Sequence, residues 1–184
     1  MATPSHWDIL DETVSGDCEV FKIFRRRYRH PRDSREGVFY VIKSPDWVLA
    51  LPLTTDGRLV LVRQFRAGVG ELSWEPPGGI MEANEEPVEA AIRELAEETG
   101  YTGENARIIG TCAPNPAIFN NTSHFVIVEN CRLTRPIAPD PNEELETALF
   151  TPREAAAMAA NGEIHHAIAH AALFHLHLAK PEVF

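Results

Sequence analysis

The stretch that decides the fold runs from Gly79 to Tyr101, GIMEANEEPVEAAIRELAEETGY. Pro87 suits a first helical turn, where amide donors lack partners anyway, and Gly100 is a natural stop. Asn84 is the expected helix cap. At 100° per residue, Val88, Ala91, Ile92 and Leu95 share one side of this helix. Glu94, Glu97 and Glu98 fall within about 100° of one another and are expected to face outward. Like charges three and four residues apart cost a few tenths of a kcal/mol each. The negative end of the helix dipole adds a similar penalty in the last turn. A sequence that breaks two local rules together is usually compensated by something else, and clustered carboxylate oxygens are what a hard divalent cation takes as ligands.

The rest of the chain sets limits on what that helix serves. Its 184 residues, 44% hydrophobic, fit one domain with a small appended segment. The formal net charge of -10 argues against broad nucleic-acid binding through phosphates. Apolar runs are far shorter than a membrane span needs. The first residues, MATPSHWDIL, lack a basic start followed by an apolar stretch, so the expected location is cytoplasmic. Cys18, Cys112 and Cys131 have no metal-type spacing and suit a reducing compartment.

Residues 1–45 read as short extended segments, with the alternation of a strand in CEVFKIFRRRYRH. The run Arg25-Arg26-Arg27 there is a solvated edge, or else a contact to substrate phosphates or a partner subunit. WVLALPLTTDGRLVLVRQFR is a hairpin turning at Asp56-Gly57, a pair suited to positive φ angles. ELSWEPPGGIMEANEEP reads as a loop, and ARIIGTC and HFVIVEN as two more strands. Thr151-Pro152-Arg153-Glu154 is a capping box that opens a helix ending near Asn161-Gly162, with a second helix expected from Ile164. Strands alternating with helices give a mixed α/β domain.

Spacing sharpens the reading. From Gly79 the chain runs Gly-x5-Glu-x7-Arg-Glu-Leu-x-Glu-Glu-x-Gly-Tyr. At about 5–10% usage per residue type, seven of these fixed positions alone coincide by chance on the order of 10⁻⁸ per starting point. This pattern resembles the Nudix box, the signature of hydrolases acting on nucleoside diphosphates linked to another group. Tyr101 stands where the box prefers an aliphatic residue, which concerns packing rather than chemistry. LVRQFR, EPPGG, the TPREAAAMAANGEI helix and Pro116, sixteen residues past Gly100, are similar to the ADP-ribose and nucleoside-diphosphate-sugar pyrophosphatase branch.

The resemblance implies a Nudix-type α/β/α sandwich with a mixed sheet over residues 46–184. A short N-terminal β segment, 1–45, is expected to form a homodimer. It implies hydrolysis of a nucleoside diphosphate-linked small molecule with Mg²⁺, or Mn²⁺, as cofactor. The metal falls on Glu94 and Glu98, with Glu97 alongside and the backbone carbonyl of Gly78 completing the shell. Glu85 and Arg93 form a supporting ion pair, and Gly79 belongs to the same loop. Arg66 would contact the substrate diphosphate, a role its fork geometry suits. Glu75 would reach a metal through water or pair with an arginine. The catalytic base is expected in PDPNEELE, with Glu143 first and Glu144 second. Asn120 and Asn121 stand where the ADP-ribose pattern usually has an acid after the proline. Their amides would bind sugar hydroxyls, favouring breadth over ADP-ribose alone.

His166 and His170 are four apart, a spacing that can bind zinc, but no glutamate follows His166 and both read as ordinary helix-face residues. Two other functions compete. One is a Nudix hydrolase of oxidised nucleoside triphosphates or coenzyme A. The other is a non-catalytic nucleotide-binding sensor, against which the full set of glutamates argues.

Overall fold

A computed structural model describes residues 3–139 and 142–184. The chain divides into two compact units, one of Met1–Pro45 with Ala113–Asn121, the other of Asp46–Cys112 with Thr122–Phe184.

In the first unit, β1 (Asp8–Asp17), β2 (Lys22–Arg29) and β3 (Glu36–Lys43) form an antiparallel meander in that order. The basic run of β2 is neutralised across the strands. Arg26 pairs with Glu12, Arg27 with Asp11 at 2.7 Å and Arg29 with Glu36 at 2.9 Å. β2 is the middle strand of the meander, paired on both sides, so the run is not the edge expected from the sequence, and the pairs are formed on the face of the sheet. The 113–121 segment joins through a bridge between Ile42 and Phe119.

The second unit holds β4 (Trp47–Thr54), β5 (Leu59–Arg66), β6 (Glu71–Glu75), α1 (Pro87–Thr99), β7 (Tyr101–Cys112), β8 (Ser123–Leu133), β9 (Glu146–Phe150), α2 (Pro152–Asn161) and α3 (Ala167–Ala179). Its sheet runs β6-β5-β4-β8-β7, with β9 pairing β5. The sheet is mixed, because β4 and β8 are parallel while β7 and β8 are antiparallel. The near-continuous apolar run of β4 follows from helices covering both faces. Leu49, Leu51 and Leu53 point into a core with Met158 of α2 and Ile168, Leu173 and Leu176 of α3. Val48 and Ala50 point the other way, into a core with Ala90, Ala91 and Leu95 of α1. This is the α/β/α sandwich expected from the sequence.

Local expectations hold in several places and fail in others. The β4–β5 turn has a positive φ at Gly57 (77°), but not at Asp56. The capping box of α2 is complete, with Thr151 accepting from the Glu154 amide and Glu154 accepting from the Thr151 amide. Gly100 ends α1 with φ 73°. Asn84 does not cap α1: the cap position is Glu86, without a side-chain bond, and Asn84 sits two residues earlier at φ 66°. Glu71–Glu75 is a strand rather than loop, because β5 supplies a pairing edge. β9 was not expected from the acidic sequence before it, and α3 begins at Ala167 rather than Ile164.

Candidate active site

The loop after β6 is laid along β4 as if it were a further strand. The Ala50 amide donates to the Pro77 carbonyl at 2.8 Å, and the Val48 amide to the Gly79 carbonyl at 2.9 Å. Gly78 permits this approach, since a Cβ there would collide with the Val48 carbonyl oxygen. A Cβ on Gly79 would meet the Glu94 carboxylate. The glycine pair thus lets the loop close over the last turns of α1.

That closure buries Glu98. The side chain is 1% exposed and accepts a 3.0 Å hydrogen bond from the Gly78 amide. The expected outward direction is therefore corrected for Glu98: the helix face is half covered by the loop. Ile92 is the converse, expected in the core and 42% exposed. Burial, with the like charge of Glu94 next in weight, pushes the Glu98 carboxyl up to about 9. Burial also raises Glu94, against the Arg93 guanidinium, which lowers it. Glu143 acts on both as a nearby negative charge. Glu144 is exposed.

Arg93 is the cation within this acidic face. It forms a two-pronged bond to Glu85, from Nε at 2.8 Å and Nη2 at 3.0 Å. Its Nη1 meets Glu94 at 2.9 Å and Glu97 at 3.1 Å. The Arg93 hydrogen bonds hold Glu85 below the usual carboxylate range. Glu97 is thereby turned to Arg93, with its side chain 42% exposed. Among the described residues no three His, Cys, Asp or Glu side chains form a ready-made cation cage. What fits a divalent cation is the charge balance. Glu98 has no cation within ion-pair distance among the described residues, and its one hydrogen-bond partner is a backbone amide. Glu94 lies beside Glu98 on the same face of α1, with burial raising its carboxyl as well.

Beside the loop lies a cavity of about 270 Å³, lined in part by Trp47, Arg66, Glu75, Gly78, Gly79 and His166. Its polar wall is a second cluster. Arg66 grips Glu75 with Nε at 2.8 Å and Nη2 at 2.7 Å. His166 Nδ1 lies 2.6 Å from Glu75 Oε2. Glu75 pairs with an arginine, one of the two roles expected of it. Burial pushes Glu75 up, but the His166 and Arg66 hydrogen bonds outweigh it and hold the carboxyl below its ordinary range. His166 was read as a helix-face residue; it is instead the cap position of α3, outside the helical repeat. His170 is on α3, with Nε2 2.5 Å from the Ile164 carbonyl oxygen. The one sequence signal for His166 was a polar pair, His165-His166, opening an apolar helix.

Asn120 and Asn121 belong to the other unit, where they hold backbone. Asn120 Oδ1 accepts from the Ser44 amide at 3.2 Å, and Asn121 Nδ2 donates to the Pro45 carbonyl at 3.1 Å.

A sequence model of the NUDIX domain matches residues 43–172. The chain belongs to the NUDIX domain family. It is 30% identical over 141 residues to the ADP-ribose pyrophosphatase of Bacillus subtilis strain 168, covering 76% of each Nudix chain. It is 44% identical over 90 residues to the ADP-sugar pyrophosphatase of Mus musculus, covering 47% of this chain and 41% of that protein. The ADP-ribose pyrophosphatase of Saccharomyces cerevisiae is 32% identical over 147 residues, covering 74% of this chain and 63% of the yeast protein. The matched parts thus span less than two thirds of the mouse and yeast proteins. A crystal structure of an ADP compounds hydrolase superposes with a TM-score of 0.86 at 18% identity, over 99% of this chain and 98% of the other. That likeness shows the Nudix fold. Nudix hydrolases generally need a divalent metal. Among the described residues, no helix is long and apolar enough to cross a membrane.

Proposed function

We propose that this Nudix chain hydrolyses the diphosphate bond of nucleoside diphosphate sugars, ADP-ribose among them, giving a nucleoside monophosphate and a sugar phosphate. The observation that carries this reading is the acid cluster of α1, which is short of positive charge and opens beside a cavity walled by Arg66. The names of the bacterial, mouse and yeast relatives support the substrate class.

Glu94 and Glu98 would hold Mg²⁺, with Mn²⁺ as a substitute, and Gly78 and Glu97 would complete or adjust the site. A divalent cation bound there supplies charge to compensate the diphosphate and lowers the pKa of attacking water. Arg66, fixed on Glu75, offers its remaining guanidinium N–H groups to phosphate oxygens. Glu143 is the favoured base: it is exposed and electrically close to Glu94 and Glu98, as a group that takes a proton from water must be. Glu144 stands second, and Glu97 third because Arg93 occupies it. Glu85 and Arg93 hold the loop to the helix, with Gly79 permitting the contact.

Asn120 and Asn121 are spent on backbone groups of their own unit, so breadth rests instead on the lack of an acid shortly after Pro116, where the ADP-ribose pattern usually has one. ADP-ribose and at least one hexose-linked nucleoside diphosphate should then be cleaved with kcat/KM within about a hundredfold, about 2.7 kcal/mol. A panel of ADP-ribose, ADP-glucose and GDP-mannose with Mg²⁺, products identified by mass, tests both parts. No cleavage of any of them removes the activity, and a preference for ADP-ribose above about a thousandfold removes the breadth.

The N-terminal strands expose Ile9, Val14, Val38 and Tyr40, apolar surface suited to a second copy of the chain. A homodimer is the expected state, and light scattering that gives a monomer mass at micromolar concentration would exclude it. A cytoplasmic location is part of the same proposal.

A further inference from the structure

We propose that His166 is a substrate-contacting residue, its Nε2 donating to a non-bridging diphosphate oxygen beside Arg66 while its Nδ1 is held on Glu75. This inference rests on the reading of the chain as a diphosphate hydrolase.

His166 occupies the cap position of α3 with an extended backbone (φ -74°, ψ 116°), yet its side chain does not cap that helix. The ring instead reaches Glu75, 91 residues earlier in the chain, at 2.6 Å. Glu75 is 1% exposed and already grips Arg66 through both carboxylate oxygens. An ionised carboxylate can only accept, so Nδ1 is the donor in this pair. That assignment leaves Nε2 as the uncommitted ring nitrogen. The side chain is 30% exposed and lines the cavity, so Nε2 is open to a ligand.

The same wall carries the Arg66 guanidinium and the start of α3, whose first turn has no side-chain cap. Both favour an anion. The negative charge of Glu75 is offset by Arg66, which bonds both of its oxygens. An imidazolium between two anions, a carboxylate on one nitrogen and a phosphate on the other, is the state in which both nitrogens donate. A carboxylate behind a histidine also fixes the ring's orientation before substrate arrives. The second cluster is thus a built anion clamp, with the Arg66 guanidinium and the His166 ring as two arms on one buried pivot.

Two amide variants separate this role from a structural one. The amide nitrogen of glutamine reaches the place of Nε2, whereas that of asparagine reaches the place of Nδ1. His166→Ala and His166→Asn should raise KM for ADP-ribose at least about tenfold with kcat changed less than about threefold, and His166→Gln should return KM to within about threefold of wild type. The reverse order, with Asn keeping the wild-type KM and Gln losing it, means that the ring only supports Glu75 and overturns the proposal. Imidazole ¹⁵N spectra of the wild-type protein give an answer independent of turnover and of variant folding. Adding the non-hydrolysable α,β-methylene analogue of ADP should protonate and shift Nε2 of His166. Bound analogue with that nitrogen unchanged also overturns the proposal. If wild type cleaves no diphosphate yet Nε2 responds to the analogue, the clamp stands and the hydrolase reading alone fails.

Discussion

Glu98 and Glu75 are buried to the same extent, each 1% exposed, and they differ in everything that follows from their partners. Glu98 has one neutral amide from Gly78 and a like charge nearby at Glu94, so its carboxyl rises to about 9. Glu75 has Arg66 on both oxygens and His166 on one, so its carboxyl falls below the ordinary value despite burial. Burial alone therefore does not set the charge of a carboxyl group; the supply of donors does. One carboxylate is met by the protein's own side-chain donors. The other is not, and under the proposed function it would be met by a divalent cation. Arg66 and His166 bond directly to Glu75, whereas Glu98 feels Arg66 only at a distance, which is the difference on which the proposed clamp and metal seat rest.

The largest expected effect lies at the undersupplied site. Glu98→Gln and Glu94→Gln should each leave the fold intact and lower turnover by at least about a hundredfold, roughly 2.7 kcal/mol of transition-state stabilisation. Circular dichroism with initial rates checks this, and retention of more than about a tenth of wild-type activity in either variant breaks the assignment. Chelation of divalent cations from the wild-type protein should abolish turnover to a similar degree.

Stability should respond the other way round. Glu75→Gln leaves Arg66 and His166 without their shared carboxylate and should destabilise the fold by about 2–3 kcal/mol, below the full cost of breaking a buried pair because Arg66 is 39% exposed. Glu98→Gln in metal-free protein should cost less than about 1 kcal/mol, because a neutral amide can still accept from Gly78. Urea unfolding of both variants at neutral pH gives the comparison directly. A larger loss for Glu98→Gln would reverse it.

The pH dependence sharpens the same contrast. A carboxyl whose pKa is lower folded than unfolded binds fewer protons in the folded state, so its contribution is present above the unfolded value of 4.5 and fades as pH falls through the folded value. The stability gap between wild type and Glu75→Gln should hold from pH 7 to about 5 and narrow below 4.5. A gap that widens on acidification would show that Glu75 is not held as the charged form.

The smallest effect is a control away from both clusters. Thr151→Ala removes a capping box that touches neither cluster and should cost about 1 kcal/mol with kcat unchanged. Loss of turnover there would mean that the two clusters are coupled through α2, and the comparison could not be read site by site.

The sequence by itself determined the sandwich and one of its two clusters. The apolar run Val48–Leu53 is local, and so is the spacing of Glu85, Arg93, Glu94, Glu97 and Glu98, since a helix places residues three and four apart on one face whatever surrounds it. Thr151 and Gly100 act on their own turns, and both did what their residue types dictate. β6 and β9 escaped because five-residue strands depend on β5 for their edge, not on a pattern of their own. The helical wheel could show that Glu98 shares a face with Glu94, but not that a loop held by Val48 and Ala50 would cover one and leave the other at its rim. The Arg66–Glu75–His166 cluster was decided by tertiary structure alone. Its members lie on β5, at the end of β6 and before α3, and no periodicity links residues 91 positions apart. What brings them together is the stacking of α3 on the sheet through Ile168, Leu173 and Leu176, a consequence of apolar burial that carries no mark at His166 itself.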